Sequence, residues 1–263
     1  MLTPHILHIA LEIASGGIVG FTLGLVGGGG SILAVPLMVY LVGVPNAHVA
    51  IGTSALSVSI NALVGLAHHA RNKTVKWRCA GIFALCGVGG AFLGASLGKA
   101  MDGKHLLRLF AILMIGVGVL MIRGRHNTGC PGASCNRQNA PKVMGYGFGT
   151  GVLSGFFGIG GGFLIVPGLM ASTSMPILNA VGTSLVAVAA FGLSTTLSYM
   201  LSGYVNWQLA GMFILGGAIG CSIGTKASRA LAGSTGRLTT VFAGLIFVVA
   251  AYMIWQGVHQ LMG

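Results

Sequence analysis

Residues 24–36 read GLVGGGGSILAVP, and residues 155–167 read GFFGIGGGFLIVP. In each stretch a run of glycines interrupts one apolar segment and opens the next, and each ends on proline. The segments around them identify the solvent. Apolar residues make up 54% of the chain and charged residues 6%, where a soluble domain carries roughly 25% charged. So few charges cannot solvate a protein surface. Apolar stretches of about 20 residues recur along the chain, each long enough to cross a hydrocarbon core of ~30 Å. The composition predicts an all-α polytopic membrane protein. The 46 glycines then serve close helix packing, as in the small-xxx-small series Gly90, Gly94 and Gly98.

The first apolar segment covers about residues 5–26 and stops in Gly27, Gly28, Gly29 and Gly30. A short arm, 31–42, ends at Pro45; a third segment, 48–69, carries Gly52-Thr53-Ser54 near its start, and two more cover 79–97 and a stretch ending near 122. Residues 123–142 are polar and rich in Gly, Asn and Pro, the composition of a linker. The pattern then restarts with 143–157, a break at 158–162, a short arm 163–170, and segments 179–201, 207–225 and 238–256. This divides the chain into a first transmembrane repeat (1–122), a polar cytoplasmic linker (123–142) and a second transmembrane repeat (143–263). The beginning of the chain has no basic region and no small-residue cleavage site, so no cleaved signal peptide is expected.

The second half copies the first in register. Pro36 matches Pro167 and Pro45 matches Pro176 at an offset of 131. After a one-residue deletion, Gly52-Thr53-Ser54 matches Gly182-Thr183-Ser184, and Val75-Lys76-Trp77 matches Val205-Asn206-Trp207, at 130. An internal repeat of this kind governs the rest of the reading.

The formal charge of +12 suggests nucleic acid in a soluble protein; here the lysines and arginines sit in short loops and report topology. Placing Arg71, Lys73, Lys76, Arg78, Arg123, Arg125, Arg137 and Lys142 with Lys226, Arg229 and Arg237 on the cytoplasmic side puts eleven of the fourteen basic residues inside. That placement makes the repeats inverted, each of about four transmembrane helices, with both termini periplasmic. It also requires each glycine-broken pair to enter and leave on one side, as a U-shaped hairpin or as two short crossings.

Irregular backbone at membrane depth must line a cavity or be buried in protein. A helix opening after Gly30 or Gly162 directs free N–H groups and the positive end of its dipole into that space, which suits an oxyanion. Two such starts meeting near the midplane follow the general plan of secondary transporters. Gly27, Gly28, Gly29, Gly30 and Ser31, with Gly158, Gly160, Gly161 and Gly162, are therefore substrate-binding candidates. Thr53, Ser54, Thr183 and Ser184 add hydroxyl donors; the structural alternative for them is bonding back to the preceding helical turn. Glu12 is the one acid in an apolar segment, which disfavours a cation as substrate. It is read as an interfacial residue ahead of a coupling site.

Cys79, Cys86, Cys130, Cys135 and Cys221 are odd in number, and three lie in apolar segments, which argues against a disulfide framework. Cys130 and Cys135, in CPGASC, form a pair suited to a soft metal or to redox sensing, and a cytoplasmic linker keeps them reduced. The adjacent His68 and His69 point about 100° apart on a helix and make no shared ligand face. The methionines are read as packing. No P-loop, HExxH or GxSxG is present, so neither an enzyme nor a resident cofactor or metal is expected.

The glycine break leading to proline, in GGGGSILAVP and GIGGGFLIVP, the GTS triplet and the later V-x-W resemble the sulfite exporter family known as TauE/SafE, over nearly the whole chain. The resemblance implies a permease of two inverted four-helix repeats, the first helix of each U-shaped. It implies small sulfur-containing anions as substrates: sulfite, thiosulfate or organosulfonates such as sulfoacetate. The same glycines, Ser31 and the GTS hydroxyls carry over as the binding candidates. The family often has an acid before the tryptophan; Lys76 and Asn206 stand there in this chain, so no role of that acid carries over. The expectation is a secondary transporter of the bacterial inner membrane working by alternating access between lipid-embedded repeats, with a proton or cation as coupling partner, no nucleic acid, and glycine-rich faces that leave room for a homodimer. The competing readings are a transition-metal transporter using His, Met and Cys ligands, an anion channel, and a non-transporting scaffold.

Overall fold

The computed structural model describes residues 2–123, 130, 135–136, 139–157, 162–232, 240–241, 243–244, 246–252 and 255. These residues are helical apart from turns and short connections. Helix α1 (Leu2–Val26) is followed by a 3-10 turn over Gly27–Leu33, the single turn α2 (Ala34–Pro36) and a π turn over Leu37–Leu41. Then come α3 (Ala47–Arg71), α4 (Trp77–Lys99), α5 (Gly103–Arg123), α6 (Ala140–Phe157), α7 (Gly162–Thr173), α8 (Ile177–Met200) and α9 (Trp207–Ala232). Most of the described residues from 240 to 255 are also helical.

Among the described residues five helices, in α1, α3, α4, α8 and α9, are long and apolar enough to cross a membrane. Helix α7 has 12 residues and rises about 18 Å, well short of a ~30 Å core. The arm after Gly27 is equally short. Helix α6 starts at Ala140 and α5 ends at Arg123, so the helices take both ends of the stretch that composition assigns to the linker.

Glycine sets the closest contacts. Along α1, Gly16, Gly20 and Gly24 rest on the backbone of Phe213, Gly217 and Cys221 of α9. Along α6, Gly147, Gly151 and Gly155 rest on Phe83, Gly87 and Ala91 of α4. A Cβ on Gly16 would stand 2.5 Å from the Phe213 carbonyl oxygen, and one on Gly147 would stand 2.8 Å from that of Phe83. Both numberings rise together, so each pair runs parallel. Gly90, Gly94 and Gly98 complete the second seam against α6, touching Phe148, Val152 and Phe156. Helices α3 and α8 run antiparallel instead: Gly52 touches Tyr199 and Tyr204, Gly192 touches Ser59, Gly65 touches Leu185, and Gly182 touches His69.

These contacts place the connections. The start of α3 lies with the start of α9, because the Asn206 N–H donates to Thr53 Oγ1 at 3.0 Å. The start of α8 lies with the start of α4, because the Lys76 N–H donates to Thr183 Oγ1, also at 3.0 Å. Helix α1, parallel to α9, therefore enters at the end of the bundle where α3 begins, and its arm returns to that end. Helix α6, parallel to α4, enters at the opposite end, to which α7 returns. Turn geometry repeats as well. Gly43 and Ser174, 131 apart, both have positive φ (81° and 56°), as do Lys73 and Gly203, 130 apart (56° and 74°). At each pair one member is a residue with a Cβ, which the left-handed region disfavours, so the turn is imposed by the helices that it joins.

The linker is tied down at the end where α4 starts. Cys79, in the first turn of α4, is joined to Cys135 by a disulfide with a Cα–Cα distance of 5.3 Å, and the Cys130 N–H donates to the Ser174 carbonyl at 2.8 Å. This overturns the expectation that no disulfide forms, and it separates Cys130, which is free and exposed, from Cys135. The α3–α4 loop and the linker meet at one end of the bundle, which brings together two cysteines that are 56 residues apart.

Candidate functional site

The first glycine break is wound into the protein interior. Gly27 adopts φ 69°, a left-handed conformation open to a residue without a Cβ. Space would exclude a side chain there too, since a Cβ would lie 2.7 Å from Ser184 Oγ and 2.9 Å from the Val181 carbonyl oxygen. The helix expected to open after Gly30 does not begin there, because Gly27–Leu33 coils as 3-10. Ser31 Oγ closes that turn by donating to the Gly28 carbonyl at 2.8 Å.

One backbone donor of the break has left its own helix. The Gly28 N–H donates to Ser184 Oγ at 3.2 Å, between residues 156 positions apart. The Ser184 hydroxyl directs its own proton to the Val181 carbonyl at 2.8 Å, so toward Gly28 it is purely an acceptor. Ser31, Thr53, Ser54, Thr183 and Ser184 are all at most 1% exposed, so these residues are closed off from solvent.

The two GTS triplets behave alike. Ser54 Oγ donates to Ile51 at 3.0 Å as Ser184 does to Val181 at 2.8 Å. Thr53 and Thr183 each accept the N–H at the start of a helix from the other half. The serines therefore bond back within their own helices, the structural alternative raised for them, while the threonines hold the halves together. Gly29 and Gly30 lie within the 3-10 turn. Gly162 opens α7. Gly158, Gly160 and Gly161 lie outside the described residues, as does the backbone donor that would pair with Ser54.

Other buried polar groups gave no signal as a motif. Asn61 Nδ2 donates to the Phe213 carbonyl at 3.4 Å and the Cys221 thiol to the Asn61 carbonyl at 3.5 Å, a polar seam between α3 and α9, while Ser57 Oγ shares its proton between the Thr53 carbonyl at 3.0 Å and the Ala210 carbonyl at 3.4 Å. Among the described residues, His69 Nε2 and the Tyr199 hydroxyl are buried without a hydrogen-bond partner, and they too are 130 positions apart. The repeat offset is the signal that links them. The Cys130–Cys135 pair no longer offers two thiolates, since Cys135 is bonded to Cys79. Among the described residues no group of three or more His, Cys, Asp or Glu side chains comes together.

A family model described as sulfite exporter TauE/SafE matches residues 12–253. The chain is 51% identical over 256 residues to a "Probable membrane transporter protein" of Xylella fastidiosa (strain Temecula1), covering 94% of this chain and 95% of that one. It is 28% identical to the "Probable membrane transporter protein YunE" of Bacillus subtilis, over 93% and 97% of the two chains. Against the "Probable membrane transporter protein MJ0441" of Methanocaldococcus jannaschii it is 27% identical over 95% and 96%. No solved structure matches.

Proposed function

The chain belongs to the TauE/SafE sulfite exporter family and is a multi-pass membrane transporter, and from that premise we propose that it moves small sulfur-containing anions by alternating access. Sulfite, thiosulfate and organosulfonates such as sulfoacetate are the substrates in view. The observation that carries this reading is the Gly28 N–H, which a hydroxyl from the other half satisfies at 3.2 Å. An oxyanion can replace that hydroxyl at the same donor, with the rest of the turn supplying further N–H groups. Removing the hydroxyl also loosens a contact between the halves, so binding and opening share one switch.

The binding set is Gly27, Gly28, Gly29, Gly30 and Ser31 with Ser184, and its counterpart is Gly158, Gly160, Gly161 and Gly162 with Ser54. Thr53 and Thr183 serve as clasps between the halves. The opposed hairpins and the recurring contacts at 130–131 support two inverted repeats, and the eleven basic residues at one set of loops support a bacterial inner-membrane protein with both termini periplasmic. The seams α1–α9 and α4–α6 each join one helix from either half. The bodies that move are therefore these mixed pairs, and the sequence halves do not rock as two separate blocks.

Purified protein in proteoliposomes is given labelled sulfite, thiosulfate and sulfoacetate in turn, and saturable flux of at least one is the expected result. Gly29→Leu and Gly161→Leu should each abolish that flux while retaining the wild-type elution profile in detergent. Full transport by both variants would sink the site assignment, and non-saturating flux would favour a channel.

A further inference from the structure

His69 stands in the last turn of α3 and is fully buried. Its Nδ1 lies 2.9 Å from Thr74 Oγ1, and the Thr74 hydroxyl donates to the His69 carbonyl at 3.0 Å. A hydroxyl has one proton. With that proton directed at the carbonyl, Thr74 accepts from the ring, and Nδ1 carries the hydrogen in that tautomer. Nε2 is then a lone pair, buried and without a hydrogen-bond partner among the described residues.

The ring sits beside the last turn of α1, which runs into the glycine break. On α8, a Cβ on Gly182 would stand 3.2 Å from His69 Nδ1, and Ser184, on another face of the same helical turn, holds the Gly28 N–H. On α1 the Gly24 carbonyl acts on the ring, though it is not within hydrogen-bond geometry of Nε2. The ionisable groups that act on it are Arg229 of α9, whose Nη1 is held by Asn72 Oδ1 at 2.6 Å, and His68 of its own helix. Helix α1 presents the Gly24 carbonyl and α8 presents Gly182 and Ser184, none of which carries charge.

We propose that His69 Nε2 is the proton-binding atom of the transport cycle, taking up a proton as an oxyanion settles against the turn at Gly27–Leu33. This rests on the anion-transport reading above. In the neutral ring the lone pair repels an anion; once protonated, the same atom is a donor with a positive charge behind it. Proton and anion therefore stabilise each other, each raising the affinity of the site for the other. The proton arrives from the aqueous side that delivers the anion and leaves with it on the other side. The chain has two acids; Glu12 is only part-buried in α1 and Asp102 is largely exposed beside His105, so no fully buried carboxylate competes for this role. The position equivalent to His69 is Tyr199, also fully buried, with Lys99 Nζ 5.9 Å from its ring centroid. A phenol does not titrate near neutral pH, whereas an imidazole does. One end of the bundle has a proton site and the other does not.

The test uses the full chain in liposomes with a trapped pH dye and an imposed thiosulfate gradient. Wild type should acidify the lumen in step with thiosulfate entry, and its rate should fall about tenfold or more between pH ~5.5 and ~7.5, as histidine titration demands. His69→Gln should move thiosulfate without the proton and with a flat pH profile. Thr74→Val, which keeps the imidazole but frees its tautomer, should shift that profile. A proton-to-anion ratio in His69→Gln equal to wild type would overturn the proposal. If wild type moves no thiosulfate, 15N-histidine spectra of the purified protein decide the matter separately. A resonance absent from His69→Gln should show a bare Nε2 that gains a proton on acidification, and a His69 ring still fully neutral at pH ~4 would refute the assignment while leaving transport of another anion open.

Discussion

Helices α3 and α8 occupy equivalent places in the two halves, yet they are built from different chemistry. Both start with a GTS triplet whose threonine holds the N–H of a helix from the other half at 3.0 Å. Beyond that turn they diverge. Helix α3 carries Ser57, Ser59 and Asn61 where α8 carries Ala187, Ala189 and Phe191. Each of the last pair fills the same gap: Asn61 lies over Gly217 of α9, and Phe191 lies over Gly87 of α4. Further along, His69 faces the role that Tyr199 has at the other end. The shared part is the clasp, by which each half holds a helix start of the other. The divergent part is the chemistry that the two helices bury beyond it.

The comparison breaks most visibly at the seams that both halves share. Gly20→Leu and Gly151→Leu each insert a side chain where backbone already lies, and overpacking of this sort forces helices apart. Neither variant should give a monodisperse peak in detergent size-exclusion chromatography. A normal peak from one and not the other would show that the seams are not equivalent. The next effect separates α3 from α8. Phe191→Ala should lower stability by about 3–5 kcal/mol, as for a large buried aromatic, whereas Asn61→Ala should cost about 1 kcal/mol or less, as for a polar contact between membrane helices. Reversible unfolding in mixed micelles compares them directly; equal losses would mean that Asn61 is a structural support of the same rank. The smallest effect tests the common part. Thr53→Val and Thr183→Val should each cost about 1 kcal/mol, the net worth of one hydrogen bond, with Thr→Ser restoring the wild-type midpoint at both positions. A difference between the two valine variants would place more weight on one clasp.

Much of this was legible in the residues. The glycine breaks, the helices around them and the register between halves follow from apolar length and from repeated Pro, GTS and V-x-W positions. The closed winding of Gly27–Leu33 was not legible, because glycine permits several backbone states and the choice is made by Val181 and Ser184 across the interface. Nor were the left-handed residues Lys73 and Ser174, whose side chains argue against that conformation and whose turns are set by the helices on either side. The threonines of the triplets look by sequence like hydroxyls that line a site, whereas each accepts an N–H from a residue more than a hundred positions away. Local sequence carries no record of such a distance. His69 looked like half of an adjacent pair with no common ligand face, and its isolation appears only once α1, α8 and Thr74 surround it.

The bond between Cys79 and Cys135 has a meaning for compartments as well as for shape. The count of lysines and arginines favours the cytoplasm for the linker end of the bundle, where glutathione and thioredoxin keep thiols reduced. A sulfur–sulfur bond that persists favours an oxidising space for the same end. The two signals disagree, so a thiol count on the protein in its own membrane tests the proposed orientation independently of positive charge.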